Sequence, residues 1–166
     1  IKLLNILLFC ASMKITLTLP DGSTKTVDKG TTGMDVARLI GPKLAKDALA
    51  ISVNGEVREL ERPIEENAQI SILTFDAVEG KKALWHSTAH LLAQAVVSLW
   101  PDALPTIGPA IDDGFYYDFD KDEPFTPEDL VKIEKKMAEY GAQDSAVKRE
   151  VVPIEKARLK FKHNKY

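Results

Sequence analysis

From residue 14 the chain alternates polar and apolar positions: Lys14-Ile-Thr-Leu-Thr-Leu19. A period of two belongs to a strand with one face buried. Pro20-Asp-Gly-Ser23 follows as a turn, because Gly22 can adopt positive φ. Residues 24–28 then predict a second strand, paired back as a hairpin. Thr32 begins a helix, with Asp35 three positions on to reach back to the cap amide. Val36, Leu39, Ile40 and Leu44 recur at helical spacing and form its expected apolar stripe. Residues 50–53 are a short strand. Asn54-Gly55 is a strong hairpin signal, followed by Val57 and Leu60. Gln69-Ile-Ser-Ile-Leu-Thr74 closes the unit as a last strand.

The resulting order is strand, strand, helix, strand, strand, strand, the layout of a ubiquitin-like β-grasp. Residues 75–82 carry Asp76, Glu79, Gly80, Lys81 and Lys82 and are expected to be a linker. A second unit starts near Ala83. Residues 85–99 predict a long apolar helix stopped by Pro101, and Asp112-Asp-Gly114 a turn. Phe115-Tyr-Tyr-Asp-Phe119 predicts an aromatic strand. Thr126-Pro-Glu-Asp129 starts another helix, with a cap, a proline at the first helical position and acids at the positive end of the dipole. Leu130, Ile133 and Met137 give that helix a core face, and Gly141 is its expected stop. A strand over 147–152 and a helix opened by Pro153 complete the pattern. A sheet this small usually needs more strands to cover such an apolar helix, so the second unit is expected to be incomplete.

Composition narrows the class. Of 166 residues, 45% are hydrophobic and 28% charged, as in an ordinary water-soluble domain or two small ones. The net charge of −3 argues against a dedicated nucleic-acid binder, though a basic patch can sit on one module of several. A single cysteine, Cys10, forbids an internal disulfide and fits a reducing, cytoplasmic setting. No apolar run is long enough to span a bilayer. Residues 1–12 stand apart, with an apolar stretch after Lys2 like a secretory h-region. Leu8 and Phe9 before Cys10 are too large for a lipoprotein cleavage site. These residues are therefore expected to be a leader upstream of a native start at Met13.

The sharpest chemical feature is His86-Ser-Thr-Ala-His90. Residues four apart share a helix face, close enough to hold one ligand. No charged residue occurs from Trp85 to Trp100, which predicts that the histidine face is covered as well as the leucine face opposite. A metalloprotease would need glutamate next to the first histidine, where Ser87 stands. Two readings stay open. The pair holds a metal or a hydrolytic water, completed by groups from elsewhere, or it is a pair of satisfied core histidines. A zinc site needs at least one further protein ligand, and His163 and Cys10 are the remaining histidine and cysteine. Gly108 to Asp118 is either a loop and core strand or a wall that sets Tyr116 or Tyr117 into a cleft. Alternation allows only one of the two tyrosines to face it. The first unit has no histidine and no cysteine, and fits a small binding module.

At these residues the chain resembles a known family. Met13-Lys-Ile-Thr-Leu-Thr-Leu-Pro-Asp-Gly22, Asn54-Gly55 and Arg62-Pro-Ile64 look like the TGS domain at the start of bacterial threonyl-tRNA synthetases. Trp85-His-Ser-Thr-Ala-His-Leu-Leu92, Ile107-Gly-Pro109 and Gly114-Phe-Tyr-Tyr-Asp118 look like the opening of their editing domain. The resemblance implies an α+β protein. A TGS domain over 13–74 is joined by a linker over 75–82 to an incomplete α/β editing domain over 83–166. It implies a class II ligase that uses ATP to attach threonine to its tRNA, with zinc in the catalytic domain, and works as a cytoplasmic homodimer. It also implies hydrolysis of seryl-tRNA made in error, since a threonine pocket rejects serine by only one methyl. His86 and His90 match the family's editing histidines, and Tyr117 a tyrosine lining that pocket.

The departures are as informative. The family completes its editing pocket with a Cys-x-x-x-His pair and a lysine that lie beyond Tyr166. Its catalytic and anticodon-binding domains also lie outside this sequence. The chain is therefore expected to be an inactive N-terminal fragment with no ATP, metal or zinc site of its own. The alternatives are a non-catalytic RNA-binding or regulatory module built on a TGS domain, and a truncated free-standing editing hydrolase.

Overall fold

The computed structural model describes residues 13–145 and 149–166. The expected leader over 1–12 lies outside the described residues. The chain divides into two compact units, one ending at Ala83 and the other running over Leu84–Tyr166.

The first unit contains β1 (Lys14–Thr18), β2 (Thr24–Asp28), α1 (Gly33–Ile40), α2 (Pro42–Asp47), β3 (Ala50–Val53), β4 (Glu56–Arg58) and β5 (Ala68–Leu73). The strands form one sheet in the order β2-β1-β5-β3-β4. β1 and β5 run parallel, with Leu17 opposite Ala68, and the other neighbours are antiparallel. This mixed sheet under a helix is the β-grasp that the alternation implies. The period-two pattern sends Ile15 and Leu17 inward, where they meet Val27, Ile51, Val53, Ile70 and Val36 of α1. Asp21 accepts bonds from the amide and hydroxyl of Ser23 and sets the first hairpin. Asn54 and Gly55 take φ of 51° and 84°, the double positive φ of a tight hairpin turn that glycine adopts without strain.

The helix departs from its expected stripe. Thr32 and Asp35 form the capping box, but α1 ends at Ile40 and a separate short helix begins at Pro42. Proline lacks an amide to continue the ladder, so the chain breaks at Gly41. Leu39 and Ile40 are exposed as a result, and the face buried against the sheet is Gly33, Val36 and Ala37.

The second unit is built on α3 (Val78–Leu99), with β6 (Leu104–Pro105), β7 (Ala110–Ile111), β8 (Gly114–Phe115), β9 (Phe119–Asp120), α4 (Pro127–Ala142) and α5 (Ile154–Lys160). The expected linker over 75–82 is instead a turn followed by the first residues of α3. The aromatic strand is also divided. β8 pairs with β7, β9 pairs with β6, and residues 116–118 between them are irregular. Asp118 bridges the break, with its amide donating to Ile107 and its carbonyl accepting from Thr106. Of the strand expected over 147–152, residues 147 and 148 lie outside the described residues. Residues 149–152 have no strand partner, and Val151 is exposed.

Thr126 and Asp129 cap α4 as expected, and Lys132 with the cap amide and hydroxyl holds the Asp129 carboxyl down at about 2. A depressed carboxyl stabilises the fold above its ordinary value of 3.8, and that contribution is lost as pH falls from there towards 2. Leu130 faces solvent, so the α4 core face is Ile133, with Met137 and Tyr140 packed beside Ala95, Val96 and Ala103. The positive φ after α4 falls at Asp144, and Gly141 remains helical.

The burial pattern of the first unit makes a direct prediction. Leu17→Ala empties a fully buried site between β1 and β5 and is expected to cost about 2–5 kcal/mol. Leu39→Ala, on the exposed side of α1, is expected to stay within about 0.5 kcal/mol. Urea denaturation of the two variants measures both. Equal losses would restore Leu39 to the core stripe.

Candidate functional site

The site begins with the rotation of α3 about its axis. Ala89, Ala95 and Val96 are buried, with Leu92 and Leu99 packed beside the second core. The opposite side carries His86, Ser87, His90, Gln94 and Ser98, all exposed. The expectation of a covered histidine face is therefore corrected. An uncharged face need not be an apolar one, and these polar side chains are content in water. The hydroxyls of Thr88 and Ser98 bond back to carbonyls of their own helix.

One helical turn brings the two imidazoles together. Nε2 of His86 and Nε2 of His90 are 3.0 Å apart, and the rings meet edge to face with centroids 4.5 Å apart. A bond between two ring nitrogens needs one proton, so one ring donates while the other accepts. Doubly protonated, the two rings would repel. Partial burial, and secondly the charge of His86, push the His90 pKa below its ordinary value of 6.5. His90 is thus mainly a neutral base at neutral pH, with a lone pair that a proton donor can use.

A hollow of about 310 Å³ lies beside His90. α3 contributes Ser87, Leu91 and Gln94 to its wall, the C-terminal end of α4 contributes Tyr140, and the turn after it Asp144. Sequence reasoning missed this second wall. The available signal was the series Ser87, His90 and Gln94, polar positions three and four apart on an otherwise apolar helix. Two hollows of about 420 Å³ lie elsewhere. One is on the first unit near Gly22 and Gly55, and the other is lined by Asp102, Asp120, Asp122 and Glu123. Neither contains a histidine, so the smaller hollow is the better chemical candidate.

Tyr117 is placed differently from the histidines. Its ring stacks on Phe119, with centroids 4.9 Å apart, and lies over Gly108. A Cβ at position 108 would come within 2.1 Å of that ring, which explains the glycine. Tyr116 is exposed. Among the described residues no ring contact joins Tyr117 to His86 or His90, while Trp85 meets Phe115 at 6.5 Å and links β8 to the same turn of α3. Among the described residues no three His, Cys, Asp or Glu side chains converge in a metal-holding group. No helix of the described residues is long and apolar enough to cross a membrane.

Comparison with known proteins adds two findings. Residues 14–74 match the TGS domain. The chain is also similar to threonine–tRNA ligases. It is 46% identical over 144 residues to that of Chlorobaculum tepidum, covering 87% of this chain and 22% of that protein. It is 52% identical over 148 residues to that of a Janthinobacterium species, covering 89% and 23%. With that of Methylococcus capsulatus it shares 50% over 146 residues, covering 88% and 23%. The chain thus spans under a quarter of the length of these relatives, in their N-terminal part.

The histidine contact sets an expected titration. Proton NMR of the chain should place the His90 midpoint below 6.5, and His86→Gln should move it upward. The move should be partial, because burial is the larger cause and remains. A His90 midpoint that does not respond to His86→Gln would mean that the rings do not interact in solution.

Proposed function

We infer that this chain is the N-terminal part of a threonine–tRNA ligase and supplies the TGS domain and the histidine half of an editing site to that enzyme. The single observation that carries the editing reading is the pair of imidazoles 3.0 Å apart on an exposed helix face beside a hollow. A pocket that accepts threonine gains only about 1–3 kcal/mol against serine from one methyl group. A second site that destroys seryl-tRNA is the physical remedy. In that reaction a water oxygen attacks the ester carbonyl carbon while a neutral imidazole takes the water's proton. The bond to the ribose oxygen breaks, that oxygen receives a proton, and serine and free tRNA leave. The depressed pKa of His90 suits the proton-accepting role.

The ring-to-ring bond must open for this to occur, because it occupies the acceptor lone pair. The contact is weak enough to exchange for bonds to a water. The developing oxyanion needs donors as well. These we assign to the part of the enzyme outside this chain. Tyr117 is proposed to line the same pocket, its ring fixed by Gly108 and Phe119. ATP, threonine and zinc sites, the homodimer contact and the cytoplasmic setting are likewise proposed for the whole enzyme. No step here is routed through a metal, and the described residues hold no ligand set for one.

The test uses the complete enzyme. His86→Ala and His90→Ala should each slow hydrolysis of seryl-tRNA by about 100-fold or more, the scale of a lost general base, and leave threonylation at the parent rate. Seryl-tRNA clearance at the parent rate by the double variant would make the histidines structural. The 166-residue chain alone should show no threonine-dependent exchange of pyrophosphate into ATP. Exchange above background would place the activation site within these residues.

A further inference from the structure

The 3.0 Å between Nε2 of His86 and Nε2 of His90 is the spacing of two neighbouring ligands on one metal ion. At a metal–nitrogen length of about 2.0–2.1 Å, two nitrogens at right angles stand about 2.8–3.0 Å apart, and two at a tetrahedral angle about 3.3–3.4 Å. The observed spacing falls in the first range. Right angles belong to the square-planar and tetragonal nitrogen sites of divalent copper and nickel, and tetrahedral angles to zinc. The shared proton already holds the nitrogens at this distance, so an ion that replaces it requires no movement of the helix. The rings meet with their planes 85° apart. Rotation about each Cβ–Cγ bond, a soft torsion in histidine, turns both lone pairs onto one point.

The surroundings suit a dication. Both histidines are exposed and lie well inside α3, which spans Val78–Leu99, so the backbone fixes their spacing. No charged residue occurs on the helix from Trp85 to Trp100, so no ammonium repels an ion there. Among the described residues, no lysine or arginine lines the hollow beside His90, while the Asp144 carboxylate does. A resident zinc ion has three or four protein ligands, and among the described residues no third His, Cys, Asp or Glu joins the pair. Two nitrogens leave the other positions to water. The hollow of about 310 Å³ has room for several waters of about 30 Å³ each.

We propose that His86 and His90 form a two-nitrogen capture site for divalent copper, and more weakly for nickel, with water in the remaining positions. The ion takes one Nε2 lone pair from each ring, and the proton shared between the rings leaves to water. Copper binds ahead of nickel and zinc, because the affinity of nitrogen sites peaks at copper in the divalent series. A bound copper also occupies the lone pair that would accept the proton of the attacking water. That consequence rests on the editing reading; the capture itself does not.

Titration of the full 166-residue chain with copper(II) chloride, followed by electron paramagnetic resonance, tests it. The parent spectrum should show one copper per chain with two imidazole nitrogens. His86→Ala and His90→Ala should each weaken binding about 100-fold, the loss expected when a two-point attachment becomes a single one, and leave one nitrogen in the spectrum. Alanine favours the helix and both sites are exposed, so these variants keep α3 intact. His163→Ala should leave copper binding unchanged, and zinc chloride should bind the parent more weakly than copper. Undiminished binding by the His86→Ala/His90→Ala double variant would mean an adventitious ion only. That outcome, a single nitrogen in the parent spectrum, an equal loss from His163→Ala, or tighter binding of zinc than of copper would each overturn the proposal. No ester is hydrolysed in these measurements, so they are independent of the editing assays. Copper capture together with failed seryl-tRNA hydrolysis would retain the metal site and remove only the editing reading, and hydrolysis without copper capture would do the reverse.

Discussion

The burial of one narrow face of α3 fixes where everything else in the second unit can act. Ala95 and Val96 are small enough to let the helix sit close to Ala103 and Ile133, and a close-packed contact tolerates little rotation about the helix axis. With that rotation set, His86 and His90 must emerge on the far side, one turn apart and 3.0 Å between nitrogens. A rotation of about 100° towards the core would carry the pair inward, and Val97 with it, since residues 86, 90 and 97 share one helix face. The editing chemistry proposed here therefore depends on methyl and isopropyl groups that never meet the substrate.

The two units solve the problem of burial differently. The first closes a five-stranded sheet over α1 and buries Leu17, Ile51 and Val36 completely. The second relies on two-stranded pairs and a core whose fully interior members are mainly alanine and valine. Its aromatic residues compensate at the margin. Trp100 and Phe119 both meet Phe125 edge to face, and Tyr117 stacks on Phe119. Edge and stacked contacts of this kind add about 0.5–1.5 kcal/mol each beyond simple burial. The same ladder that supports the hairpins also holds Tyr117 over Gly108, so structure and candidate pocket wall share one set of rings.

Charge is distributed to match. The histidine face is uncharged, so the pKa of His90 is set by burial and its neighbour rather than by a distant carboxylate. Lysines and arginines gather in α5 and the turn after it, where β6 and β9 fasten the chain through Asn164 and Lys165.

Local pattern was enough for much of this. Alternation at 14–19, the Asn54-Gly55 turn and the capping boxes at Thr32 and Thr126 each depend on contacts within a few residues, and each appears in the structure. The four-residue spacing of His86 and His90 likewise put both on one helix face, while the 3.0 Å approach of their nitrogens depended on the side-chain rotamers. What the sequence could not decide was which faces would be covered. Leu39, Leu130 and Val151 are apolar yet exposed, and the histidine face is uncharged yet exposed. The same limit applied to the aromatic run 115–119, which divides because β8 and β9 find different partners. The hollow beside His90 needed Tyr140 of α4 and Asp144 just after it, about fifty residues away along the chain. Periodicity sets which side chains share a face. Only tertiary packing chooses the partner that covers it, because burial is a property of two surfaces and a local pattern describes one.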